Sequence, residues 1–335
     1  MIYLGKIAQN TMKALKTISG LRKIKKGCVL TIGNFDGLHI GHQAILAAAK
    51  KAALQNKTKL VVMTFEPHPL ALLFPQKSPD ILTPLPLKRH LLARFGVDYL
   101  VIVRTTRRLL GLSPADFVRR FLFEHIRPGI VIEGESFNFG LNRAGDIHTL
   151  QSLAKNNGFH VISVEAKEIK LSTGKVTKVS STLIRNLLAK GRVADAAIAL
   201  DRPYRLIEKI IPGRGKGKQL GFPTANMRLP PQLVPADGVY AGFVEVANTF
   251  SKLLSANRRI PAAFSIGRPN LYGKKSPLLI EAHLLINNVG RLYNKLLAMD
   301  FIQRIRSQKK FKTDLALSAQ IAKDCKRAKE ILRGF

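Results

Sequence analysis

The rhythm of apolar residues changes once along this 335-residue chain, and that change constrains the fold more than any other feature. Up to about residue 160, short β-branched runs alternate with stretches of helical periodicity. Residues 27–33 (GCVLTIG) read as a strand ending in glycine. A helix follows over 42–55, where Ile45, Leu46, Ala49, Ala52 and Ala53 recur at helical spacing. Strands are expected at 60–65, 99–103, 130–133 and 161–164, and helices at 87–95, 114–126 and 147–157. Such alternation predicts a doubly wound, Rossmann-like parallel sheet, whose ligands gather at the carboxyl ends of the strands.

Residues 181–200 predict one or two helices, with Gly191 as the break. Beyond Arg202-Pro203-Tyr204, apolar runs at 204–211, 239–246, 261–266, 278–286 and 297–302 are separated by Gly, Pro and Asn. That pattern predicts a small antiparallel, closed β-barrel. A C-terminal helix is expected over 315–332, with Leu315, Ala319, Ala322, Ala328 and Ile331 on its buried face. The expected organisation is an α/β domain over 1–186, a linker over 187–203 and a barrel domain over 204–335.

No apolar run approaches the ~20 residues that cross a bilayer. The N-terminus lacks the apolar core and small-residue cleavage site of a secretory signal. The two cysteines, Cys28 and Cys325, stand at opposite ends and suggest neither a disulfide framework nor a zinc cluster. A cytoplasmic location is expected. The 55 Lys+Arg against 21 Asp+Glu, net +34, suit anionic partners. Nucleic acid is the obvious polyanion, but the charge is dispersed, with no basic tail and no zinc-finger, RNP or basic-zipper pattern. The charge therefore reads as a basic surface suited to small anionic substrates, with a nucleic-acid-binding role on this scaffold as the alternative from another class.

After the first strand the sequence runs T-I-G-N-F-D-G-L-H-I-G-H-Q over 31–43. Gly33, Gly37 and Gly41 permit tight turns and close approach of backbone to a phosphate. His39 and His42 sit where this loop enters a helix, so both imidazoles can face a triphosphate held at that helix N-terminus. A histidine pair alone is more often structural; its place between the first strand and first helix is what points to function. Metal ligation by the pair lacks a third ligand at zinc spacing.

Here the chain resembles the nucleotidylyltransferase superfamily, and the longer string G-N-F-D-G-x-H-x-G-H is similar to the FMN adenylyltransferase module of bacterial riboflavin kinase/FAD synthetases. The stretches T-F-E-P-H-P (64–69), E-G-E-S-F-N-F-G-L-N-R-A-G-D (133–146) and S-S-T-L-I-R (180–185) agree in order. The resemblance implies that His39 and His42 are catalytic, binding the triphosphate and stabilising charge on the reacting phosphate. It implies that Gly33, Asn34, Asp36 and Gly41 help place nucleotide phosphates and Mg²⁺. Phe65, Pro67, Phe137, Phe139 and Arg143 would surround flavin or adenine, and Ser181, Thr182 and Arg185 would close over the phosphates.

In the barrel region G-R-G-K-G-K-Q-L-G-F-P-T-A-N spans 213–226. Its glycines and lysines, among them Gly213, Lys216 and Lys218, can wrap phosphates, although the string is not a Walker loop. Thr224 and Asn226, two apart on an extended strand, offer hard oxygen ligands to Mg²⁺ on one side. G-x-P-T-A-N resembles the flavokinase family, as do D-G-V-Y (237–240), I-E-A-H-L-L (280–285) and the closing stretch 311–324. The resemblance makes Glu281 the catalytic base toward the riboflavin 5′-hydroxyl. Three places depart from the family pattern: S-I-G-R-P-N-L at 265–271 in place of N-x-G-x-x-P-T-F, Ile286-Asn287-Asn288 without an acidic residue, and Leu292-Tyr293-Asn294.

Together these readings imply a bifunctional enzyme that phosphorylates riboflavin to FMN and adenylylates FMN to FAD, using ATP and Mg²⁺. The alternative among enzymes is an FMN adenylyltransferase with a weakened kinase module. The expected partners are ATP, riboflavin and FMN, with no membrane partner; a homo-oligomer stays open.

Overall fold

The computed structural model describes residues 12–254, 259–268, 277–286, 290 and 292–335. Residues 269–271 of the altered segment, and Asn287 and Asn288, lie outside these. The chain divides into two compact units. One comprises the residues up to Lys170 together with Val176–Ser180; the other comprises Leu171–Lys175 and Ser181–Phe335.

In the first unit, β1 (Lys13–Leu15), β2 (Val29–Ile32), β3 (Leu60–Glu66), β4 (Tyr99–Arg104), β5 (Ile130–Gly134) and β6 (His160–Val164) form a parallel sheet in the order β1-β4-β3-β2-β5-β6. All four residues of β2 and the first five of β3 are buried, as expected for strands covered on both faces. From β2 the chain builds outward through β3 and β4, then returns to lay β5 on β2's other side. The strand order thus reverses at β2, and the carboxyl ends of β2, β3 and β5 flank the crevice where such sheets bind ligands. The expected strands and helices are present. The helix expected over 114–126 is a single α-turn, Pro114–Asp116, running into π-helical Phe117–Phe123. β1 and the hairpin of β7 (Glu168–Lys170) and β8 (Val176–Lys178) are too short to show a period and were not expected.

In the second unit, helices Ser181–Ala189 and Val193–Leu200 occupy most of the expected linker, separated by Gly191 at φ +70°. Asp195, 3% exposed, accepts the Ser172 amide at 2.7 Å, the Ser172 hydroxyl at 3.0 Å and Arg192 Nε at 2.7 Å. β9 (Tyr204–Ile211), β10 (Ala225–Met227), β11 (Gly238–Ala247), β12 (Ile260–Gly267), β13 (Leu279–Leu284) and β14 (Leu296–Arg306) close an antiparallel barrel in the order β10-β13-β12-β11-β14-β9. Tyr240, Phe264 and Phe301 fill its interior in edge-on contacts at 5.0 and 5.3 Å.

The C-terminal helix, Asp314–Leu332, packs on β11, β12 and β14 by only part of the face expected: Ala328 and Ile331 lie on it, the other three do not. Leu315 is 82% exposed, and Ala319 and Ala322 are exposed. Cys325, Ala328 and Leu332 are buried, with Ile321 and Ile331 beside them. The helix is turned because Asp324 is buried against Arg306, which donates from Nε at 2.9 Å and Nη2 at 2.6 Å. A charge paired this way can sit on a buried face that a hydrophobic pattern alone would deny it.

Candidate active sites

In the first unit, the Gly33 amide still bonds to the Met63 carbonyl at 2.9 Å, extending β2 by one residue. The chain then reverses through three left-handed residues, Phe35 (φ +46°), Gly37 (+86°) and Leu38 (+42°). Two of them are not glycine, so the neighbouring structure must hold them there. Asp36, 6% exposed, supplies the main tether: its carboxylate accepts the Leu82 amide at 3.1 Å and the Thr83 amide at 2.9 Å. Thr83 answers with its hydroxyl, which accepts the Gly37 amide at 3.1 Å. The Phe35 ring is buried and tilts against His42 at 5.2 Å, and Leu38 is buried completely.

His39 caps helix Ile40–Gln55, its Nδ1 accepting the His42 amide at 3.3 Å. The two imidazoles stack at 3.7 Å and 17°. Gly41 lies beneath, where an added Cβ would press on the His39 ring at 3.2 Å. His42 Nδ1 is buried without a hydrogen-bond partner among the described residues. Burial first, then the positive charges of His39 and Lys88, hold the His42 imidazole well below its ordinary value. His42 is thus a neutral ring beside the helix N-terminus, a hydrogen-bonding group more than a fixed cation. Asn34 meets His68 Nε2 at 3.0 Å through one end of its amide, and the other end is buried without a partner.

The remaining residues divide clearly. Asp36, expected to help place phosphate and Mg²⁺, is engaged by backbone amides and sets the loop's shape. Phe139 is buried against Phe117 at 5.7 Å and belongs to the core. Phe137 stacks on it at 5.4 Å and, like Phe65 at the end of β3, is only partly buried. Pro67 follows β3 through a cis peptide, its carbonyl accepting the Thr105 hydroxyl at 2.5 Å. Arg143 donates to Asn138 at 2.8 Å on the surface. Ser181, Thr182 and Arg185 stand on the first helix of the second unit. Three residues escaped the sequence reading. Thr83 secures the loop. Glu133 accepts the Ile32 amide at 2.5 Å at the end of β2, and burial pushes its carboxyl well above the ordinary range. Lys88 is 6% exposed on helix Leu85–Arg94. Its signal was its register with Leu87, Leu91 and Leu92.

In the barrel, strand register assembles the second site. Asn226 on β10 pairs with Glu281 on β13, which pairs with Ser265 on β12. Directly paired residues share a face, so the three form one row. Each is half-buried, whereas the flanking Ala225, Met227, Ile280, Ala282, Phe264 and Ile266 are buried inside. The Thr224 hydroxyl donates to Glu281 Oε1 at 3.4 Å. Burial raises the Glu281 carboxyl above its usual range, opposed by the Thr224 hydrogen bond and the charge of Arg214. His283, two residues along, lies 2.8 Å from the Pro223 carbonyl and edge-on to Phe222. Gln308 donates to Ser265 Oγ at 3.1 Å and the Ile266 carbonyl at 2.8 Å.

The Gly/Lys loop runs beside this row. Gly213 leaves room for Asn226: an added Cβ would fall 2.1 Å from Asn226 Nδ2, so a larger residue would displace that side chain. Lys216 pairs with Asp314 at 2.9 Å, and Lys218 is exposed. Thr224 and Asn226 present oxygen donors suited to a hard cation, with the Glu281 carboxylate beside them. Among the described residues no cluster of three His, Cys, Asp or Glu could hold a metal by itself. That donor set fits Mg²⁺ bound largely through substrate phosphates.

The molecule thus joins a nucleotidyl-transfer type of α/β unit to a barrel equipped for phosphoryl transfer. The FAD synthetase family matches residues 21–183, and the riboflavin kinase family matches residues 200–332. The bifunctional riboflavin kinase/FMN adenylyltransferase of Escherichia coli (strain K12) is 36% identical over 321 residues, 95% of this chain and 97% of the relative. The enzyme of the same description from Pseudomonas fluorescens is 34% identical, over 96% of this chain and 98% of its own. A crystal structure described as a macrolide-efflux protein from Streptococcus pneumoniae shares the fold, with TM-score 0.80, 26% identity and coverage of 97% of this chain and 100% of that one. The chain belongs to the bifunctional riboflavin kinase/FMN adenylyltransferase family.

Proposed function

We propose that the first unit transfers the adenylyl group of ATP to FMN and that the barrel phosphorylates riboflavin. One observation supports the division best: the FAD synthetase family matches residues 21–183 and the riboflavin kinase family residues 200–332, and the side chains gathered in each unit offer different chemistry. In adenylylation the attacking group is an anionic FMN phosphate oxygen. It bonds to the ATP α-phosphorus as the bond to the β-phosphate oxygen breaks and pyrophosphate leaves. No strong base is needed; positioning and charge neutralisation suffice. The loop after β2, His39, His42 and Asn34 supply hydrogen bonds at a helix N-terminus. Asp36 acts on this site through the loop it tethers. Phe65, Pro67 and Phe137 border the space for the ring systems.

In phosphorylation the nucleophile is a neutral hydroxyl. Glu281 accepts its proton as the oxygen bonds to the γ-phosphorus and ADP leaves. The upward shift of Glu281 makes it a better proton acceptor than an ordinary carboxylate. Thr224 and Asn226 would hold Mg²⁺, which neutralises phosphate charge when bound, and Gly213, Lys216 and Lys218 would follow the nucleotide phosphates. Among the described residues no helix is long and apolar enough to cross a membrane.

Incubating the purified protein with riboflavin and Mg-ATP, then separately with FMN and Mg-ATP, and resolving products by chromatography tests both assignments. FMN followed by FAD is expected from riboflavin, and FAD from FMN. Formation of FAD from FMN without FMN from riboflavin would favour the weakened-kinase reading, to which the altered segment beginning at Ser265 points.

A further inference from the structure

We propose that Lys88 is a phosphate-contacting residue of the adenylylation site, its ammonium binding a non-bridging oxygen of the ATP polyphosphate. The inference rests on the adenylylation reading above. Lys88 lies in the first turn of helix Leu85–Arg94, on the face that buries Leu87, Leu91 and Leu92. It is 6% exposed and takes part in no hydrogen bond or ion pair among the described residues, while its Nζ is not one of the fully buried unpartnered atoms, so the tip of the ammonium stays accessible. A lysine that buries its stem ordinarily keeps its ammonium at solvent or opposite an anion. The accessible tip of this ammonium can meet an anionic partner.

Connectivity fixes where that partner lies. Leu82 and Thr83, just before this helix, clamp Asp36 and Gly37 of the loop after β2. The same tethers that shape the histidine loop therefore seat the helix carrying Lys88 against it. The electrostatics agree: the charge of Lys88 reaches His42, and Lys88 itself responds to Asp36 and to Glu66 at the end of β3. Burial still outweighs both carboxylates and draws the ammonium below its ordinary value. Lys88 thus stands among the ends of β2 and β3 and the stacked imidazoles, in the crevice where the strand order reverses.

A polyphosphate is the ligand chemistry that suits this setting. His42 is held neutral and Asp36 accepts backbone amides. Lys88 is then a formal positive charge that the first unit holds beside the loop. When the α-phosphorus is attacked, negative charge grows on the departing pyrophosphate. A fixed ammonium in a low-dielectric pocket stabilises that charge while keeping its own proton. The phosphate in return adds a directly bound anion to the field of Asp36 and Glu66 that the ammonium already feels.

The test uses the full chain with Lys88→Met, which keeps the stem's length and removes the charge, and Lys88→Arg beside it. FAD formation from FMN should fall by ~10²–10³ in Lys88→Met, with partial retention in Lys88→Arg. In the reverse direction, from FAD and pyrophosphate, the KM for pyrophosphate should rise in Lys88→Met. Riboflavin phosphorylation by the same samples should be unchanged, and the thermal midpoint close to the parent's, since the ammonium makes no hydrogen bond within the described residues. Normal FAD synthesis and normal pyrophosphate KM in Lys88→Met would overturn the proposal. So would loss of the cooperative unfolding transition, which would make Lys88 a residue the fold needs. A parent protein that makes no FAD would instead refute the adenylylation reading itself.

Discussion

The two proposed phosphate sites are built in opposite ways. The loop after β2 is built in advance: left-handed residues are tethered by a buried carboxylate, two rings are stacked, and the polar atoms left over are buried. The Gly/Lys loop of the barrel is exposed, and Lys216 forms a surface pair with Asp314. The difference follows the chemistry. A reaction whose nucleophile is already ionised gains most from fixed dipoles that need no reorganisation. A reaction whose nucleophile must lose a proton needs a base above all, and its phosphate grip can assemble on binding.

Three substitutions probe this contrast. The largest effect is expected from Glu281→Gln, which keeps size and polarity but removes the proton acceptor. Riboflavin phosphorylation should fall by ~10²–10⁴ while FAD synthesis from supplied FMN stays near normal. Near-normal kinase rates would reduce Glu281 to a strand residue and erase the contrast.

Next comes His42→Ala, expected to lower adenylylation by ~10²–10³ and spare phosphorylation. It also has a signature in pH. The folded pKa of His42 is depressed, whereas an unfolded imidazole titrates near about 6.5. Below that value the unfolded chain binds a proton that the folded chain refuses, so the parent loses stability on acidification. Thermal midpoints measured from pH 8 to 5 should fall less steeply in His42→Ala; equal slopes would mean that His42 is not held neutral.

The smallest effect is expected from Asp36→Ala. Losing the acceptor of the Leu82 and Thr83 amides should destabilise the first unit by about 1–3 kcal/mol. Denaturant unfolding reads that loss, and adenylylation should drop while the kinase does not. An unchanged midpoint with lost adenylylation would return Asp36 to direct contact with substrate.

Much of this was legible beforehand because it is local. The β-α alternation, the glycines of the loop and the barrel's punctuation are written in neighbouring residues. What stayed hidden depends on partners far along the chain. Asp36 looks like a ligand in its motif and becomes a tether only through amides 46 and 47 residues away. Lys88 looks like a solvated charge until tertiary packing buries it. The final helix misled because Asp324, polar by type, faces inward to meet Arg306. The row of Asn226, Glu281 and Ser265 exists only once three strands are in register.

The hairpin of β7 and β8 has its stem in one unit and its tip, Leu171–Lys175, in the other. Recombination or engineering that exchanged one module for a relative's at Ser180 would therefore separate Ser172 from Asp195 and Arg192. An incoming tip without a donor at that position would leave the buried Asp195 carboxylate answered by Arg192 alone. The seam between these modules is a set of residues distributed along the chain, and a successful chimera must inherit all of them from one parent.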